Sequence, residues 1–133
     1  INMHPIKIAV AAALAAFAVP TFAADVVVSL YRAVPGQQVA LLKWLADQDR
    51  AAAAAGVGPS QLYVHTSGAS WDYMVIQPAT TPEQDKAIDA ASVKLGLPSG
   101  PMAGIEFRKY ISEHTDTMTG GATTAADFLK SLK

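Results

Sequence analysis

Gln61 to Pro78, QLYVHTSGASWDYMVIQP, holds two short apolar runs joined at Ser67-Gly68-Ala69-Ser70. Strand-forming residues on either side of a Gly-containing connection read as a β-hairpin. With Gly68-Ala69-Ser70 as the loop, Val64 lies opposite Met74 and Leu62 opposite Ile76, which gathers four apolar side chains on one face. The other face then collects Tyr63, His65, Trp71, Tyr73 and Val75, amphipathic rings instead of the charges expected of a solvated surface. Both faces of this hairpin need cover. Helices of the same chain are expected to supply one cover, and a partner subunit or a small ligand the other.

Upstream, Asp25 to Val34 (DVVVSLYRAV) reads as a strand that is apolar on both faces, ended by Pro35-Gly36. From Gln37 to Ala55 the pattern turns helical, with Leu41, Leu42, Trp44, Leu45 and Ala52 in one stripe and Gly56 as the stop. Downstream of the hairpin, Thr81-Pro82-Glu83-Gln84 carries a capping box and a proline at the first helical position. The helix that it starts ends at Gly96 and Pro98. Met102 to Thr115 supports two readings. Phe107, Ile111, His114 and Met118 recur at helical spacing, which favours a helix, while Ile105, Phe107 and Ile111 also share one face of an extended run. Thr124 caps a short terminal helix bearing Phe128, Leu129 and Leu132.

The first residues are expected to lie outside the domain. Met3-His4-Pro5-Ile6-Lys7 is a short, weakly positive start, Ile8 to Val19 is an apolar run of twelve residues, and Thr21-Phe22-Ala23 offers small side chains at a cleavage site. This is the layout of a secretory signal spanning residues 1–23, with one α+β domain over 24–133 and a periplasmic or secreted location. Twelve residues fall short of the roughly 20 that span a bilayer as a helix, so no stable membrane insertion is expected after cleavage. The chain has no cysteine, which excludes disulfides and thiolate chemistry. Without Lys7, nine Lys and Arg face 11 Asp and Glu with no basic cluster, so nucleic acid is not an expected partner.

Three groups offer chemistry. His65 beside Tyr73 is a candidate base or a packed interface histidine. Trp71, Asp72 and Tyr73, with Tyr63, offer ring faces and a carboxylate to an aromatic ligand, or plain cross-strand packing. On a helix, Arg108 and His114 share a side, with Asp116 at its end. There an Asp-oriented histidine is a candidate acid/base, and the plainer reading is a helix C-terminus capped by charge. No third ligand accompanies His114 and Asp116, so neither a metal nor another cofactor is expected. No nucleophile elbow or dinucleotide loop is present.

The order strand, helix, strand, strand, helix over Asp25 to Leu95 resembles the ferredoxin-like plait with additional C-terminal helices. It resembles in particular the dimeric α+β barrel proteins related to antibiotic-biosynthesis monooxygenases and stress-responsive barrel proteins. The resemblance implies a homodimer with sheets facing each other and a cavity for an apolar or aromatic ligand. It also implies the alternative of a cofactor-independent monooxygenase or isomerase in which His65 or His114 moves a proton. A helix throughout Met102 to Thr115 would leave three strands per subunit, too few for that barrel.

Overall fold

The computed structural model describes residues 25–133, so the expected signal segment lies outside the described residues. Eight elements follow in order. They are β1 (Val26–Ala33), α1 (Gln38–Ala54), β2 (Gln61–Val64), β3 (Tyr73–Pro78), α2 (Pro82–Lys94), α3 (Pro101–Phe107), β4 (Ile111–Thr119) and α4 (Ala125–Ser131). The strands form one sheet in the order β2-β3-β1-β4, with every neighbouring pair antiparallel. This is an α+β, ferredoxin-like arrangement. The first strand is central, and the last strand pairs with it.

Local chemistry explains the helix boundaries. Gly36 turns the chain at φ 82°, and α1 runs until Gly56, where φ 77° costs glycine little. At α2 the capping box forms as expected: Gln84 N–H donates to Thr81 Oγ1 at 3.2 Å, and Thr81 N–H donates to Gln84 Oε1 at 2.9 Å. Glu83 and Asp85 in the first turn and Lys94 in the last complement the helix dipole.

The segment after Gly100 divides. The helical reading holds only for Pro101–Phe107, and from Ile111 the chain is strand β4. The free edge of β1 decides this, since its N–H and C=O groups need partners. β4 supplies them in a ladder from Val26↔Thr119 to Ala33↔Ile111, with an irregularity between Arg32 and Ala33. Thr115, Thr117 and Thr119, all β-branched, fit that pleated edge better than a helix.

The hairpin register differs from the expected one by a single residue. Leu62 pairs with Val75 and Val64 with Tyr73, not with Ile76 and Met74. The cause lies in β1 more than in the turn. Asp72 N–H donates to Tyr31 O at 2.8 Å, Ala33 N–H donates to Asp72 Oδ2 at 2.7 Å, and Arg32 Nε donates to Ser70 O at 2.6 Å. Those bonds fix the start of β3 against β1, and β2 follows. A one-residue slip exchanges the faces. Tyr73 and Val75 therefore lie with Ser29, Tyr31 and Ala33 under the helices, all of them buried. Leu41, with no exposed surface, centres this core, which Trp44, Leu45, Phe107 and Tyr110 extend. Alternation sends Val26, Val28, Leu30, Met74 and Ile76 to the opposite face, where each is only half-buried.

Candidate functional site

A hollow lies between the sheet and the helices. It is a cleft of ≈ 370 Å³, within the roughly 300–1,000 Å³ usual for small-molecule sites. Tyr31 and Val27 of β1 form its floor, Trp44, Leu45 and Gln48 of α1 one wall, and Ile88 of α2 with Phe107 of α3 the other. Helical spacing puts Trp44 and Gln48 one turn apart on the sheet-facing stripe of α1. The rings brace one another. Trp44 stacks on Phe107 at 5.8 Å between centroids, and Phe107 meets Tyr31 edge-on at 5.8 Å.

In this apolar setting the Gln48 side-chain Nε2 is buried with no hydrogen-bond partner among the described residues. A buried amide without a partner costs on the order of 1–3 kcal/mol, so a ligand or water that accepts its hydrogen bond is favoured there. Around the rim, Ser60 Oγ donates to Asp49 Oδ1 at 2.7 Å and Thr80 Oγ1 donates to Asp85 Oδ1 at 2.6 Å.

His114 and Asp116 on β4 do not line this cleft; His114 borders a separate, smaller hollow, and the two residues, two apart on the strand, share one face. They are not at a helix end, which corrects the helical placement. His114 Nε2 is 3.5 Å from Asp116 Oδ2, and Asp116 Oδ1 accepts from Ser29 Oγ at 2.7 Å. The imidazole meets the edge of Phe107 at 5.4 Å and lies parallel to Tyr31 at 6.1 Å. Burial pushes the Tyr31 hydroxyl above its ordinary pKa, and the Asp116 charge adds to the rise, against an opposing hydrogen bond with Ser29. Tyr31 therefore stays a protonated phenol at neutral pH.

The other expected site residues disperse. Tyr73 is in the core, its hydroxyl donating to Gln38 O at 3.3 Å, and burial, then the Asp72 charge, raises its pKa. It does not share a face with Tyr63 and His65. Asp72 spends its carboxylate on the Ala33 N–H. Arg108 follows the end of α3, exposed, and without His114 on a shared helix. His65 and Trp71 do meet, edge to face at 4.9 Å, and His65 Nε2 is buried without a partner among the described residues. Trp71 with Leu30, Arg32 and Glu113 borders a smaller hollow of ≈ 160 Å³. There Arg32 and Glu113 form an ion pair at 3.3 Å. Among the described residues no three His, Asp or Glu side chains gather as a metal site.

Gln48 is the functional candidate that the hydrophobic pattern conceals. Its signal in the sequence is a polar residue on the apolar stripe of α1, four after Trp44 and four before Ala52.

No family model matches the chain, and no curated protein matches it. Similar solved structures include a candidate antibiotic biosynthesis monooxygenase from Chloroflexus aurantiacus, 24% identical, covering 75% of this chain and 96% of that one, with TM-score 0.48. A dimeric ferredoxin-like protein of unknown function from Thermobifida fusca is 12% identical, covers 77% of this chain and 96% of that one, and gives 0.49. A dimeric protein of unknown function with a ferredoxin-like fold from Bacteroides fragilis is 12% identical, covers 76% and 100%, and gives 0.43. They are proteins of the kind that the element order resembles.

Proposed function

We propose that this protein binds a small aromatic molecule in the cleft between its sheet and helices, and pairs with a second copy through the open face of the sheet. The unpartnered Gln48 Nε2 inside a ring-lined cleft carries the first part of the reading. A flat ligand replaces water against Trp44, Phe107 and Tyr31 while an acceptor on it satisfies Gln48. The test is a titration of 15N-labelled protein with 3-ethyl-5-methoxyindole, whose ether oxygen is a free acceptor. Shifts at the Trp44 indole and Gln48 side-chain N–H groups are expected. Shifts at Trp71 and His65 instead would move the site to the open face, and none at all would remove the reading.

The second part rests on the aliphatic stripe of Val26, Val28, Leu30, Met74 and Ile76, which no helix of the described chain covers. A dimer in sedimentation at micromolar concentration is the expected result, and a monomer at 100-fold higher concentration would sink it. The His114–Asp116 pair favours a second reading, a proton-transferring enzyme without cofactor, since Phe107 connects it to the cleft. Under that reading His114→Gln abolishes turnover and leaves 3-ethyl-5-methoxyindole binding in place. Export belongs to the same proposal: the intact mass of the protein from a periplasmic fraction should correspond to a chain starting near Ala24 or Asp25.

A further inference from the structure

The side chains that line the cleft are unequal in charge. Asp49 and Asp85 contribute carboxylates, and among the described residues lining it none is Lys, Arg or His. Neither aspartate is engaged in an ion pair among the described residues. Each gives one oxygen to a neighbouring hydroxyl, Ser60 or Thr80, which leaves the second oxygen for a ligand. Those hydroxyls also hold the carboxylates in place, Asp49 on α1 and Asp85 on α2, against the chain segments entering β2 and leaving β3. The rings of Trp44, Phe107 and Tyr31 line it, and the negative π-surface of such rings attracts cations. No lining side chain carries a positive charge for an anion, and the neutral Gln48 amide is met equally well by an uncharged acceptor.

Resting on the reading of this cleft as the ligand site, we propose that its ligands are aromatic amines carried as cations, not carboxylates, sulfates or phosphates. The aromatic body lies against Trp44 and Phe107, the ammonium points to Asp49 or Asp85 at the rim, and a ligand acceptor meets Gln48 inside. Both aspartates are exposed, so the charge preference is moderate and sensitive to salt.

Three probes with one 5-methoxyindole body, each bearing the same ether acceptor, test it: 5-methoxytryptamine, 3-ethyl-5-methoxyindole and 5-methoxyindole-3-propionate, each titrated into the folded wild-type protein and followed at the Trp44 and Gln48 side-chain N–H signals. At low salt the amine should bind about fivefold to tenfold tighter than the uncharged probe, and the propionate weaker than both. Salt at about 0.5 M should compress that spread, and Asp49→Asn with Asp85→Asn should bring the three affinities together. If the uncharged probe binds and the amine binds no tighter, the cation preference is overturned while the cleft stands as the site. If none of the three shifts those signals, the cleft reading falls, and the cation preference with it.

Discussion

Val75 and Ile76 are neighbours in β3 that belong to different halves of the molecule. Val75 is 3% exposed beneath the helices, whereas Ile76 faces away and is only half-buried. The covered face carries the amphipathic rings, Tyr31 and Tyr73, with polar Ser29 among them, and the open face carries plain aliphatics, Val28, Leu30, Met74 and Ile76. For Tyr73 this is the reverse of the expectation that rings seek the partner, while Tyr63, paired with Met74, stays on the open face. A tyrosine goes inside when its hydroxyl finds an acceptor, as that of Tyr73 does at Gln38 O. Aliphatics, which need no partner atom, suit a surface closed later by another molecule.

The sharpest attack on this contrast is one charge on each side. Val75→Asp should unfold the chain, at a cost on the order of 4 kcal/mol for an unpaired carboxylate in the core. Ile76→Asp should leave the circular dichroism of the monomer intact and abolish dimer sedimentation. Equal unfolding by both would erase the distinction. Next in size is a truncation pair. Leu41→Ala should cost about 2–5 kcal/mol in urea denaturation, and Met74→Ala in the monomer about 1 kcal/mol. A smaller effect tests the rim of the covered half: Thr81→Ala removes the α2 cap and should cost about 1 kcal/mol, with Thr81→Ser restoring most of it.

The smallest effect is acid sensitivity at the exposed ends of the helices. Hydrogen bonds from Lys130 and then Thr124 hold the Asp127 carboxyl below its ordinary pKa, and those from Lys109 and then Tyr110 do the same for Glu106. A carboxylate depressed in the folded state stabilises above its unfolded pKa, and that contribution disappears as pH falls through the depressed folded value. Amide signals of α4 should therefore weaken below about pH 4 while those of β1 and β3 persist. Simultaneous loss would mean that α4 is part of the core.

The elements that carry their own punctuation were legible in the sequence. Thr81-Pro82 starts α2, Gly56 ends α1, and the two-sided apolarity of β1 marked a central strand. Two features were decided at a distance. The register of β3 depends on Asp72 and Arg32 reaching across β1 and the hairpin loop, bonds between residues 38 or 39 positions apart. Strand β4 forms because β1 offers an edge, which outweighs the helical spacing of Phe107, Ile111 and His114. The candidate site divides in the same way. The proximity of His114 and Asp116 was visible from their spacing, but their attachment to Ser29 and Phe107 required the strand. The cleft itself collects residues from three helices and the sheet, and only Gln48 on its apolar stripe hinted at it.

The pairing of Val26 with Thr119 sets a timetable. The strand made first at the centre of the sheet keeps one edge unpaired until the chain through Thr119 has left the ribosome. Closing so long a loop is an entropic barrier met before any reward, and folds dominated by such pairings form slowly. A chain ending at Tyr110 should accordingly show no protected β1 amides in hydrogen exchange, however long it is left. Native structure arrives only once β4 has emerged, in a step that this strand completes.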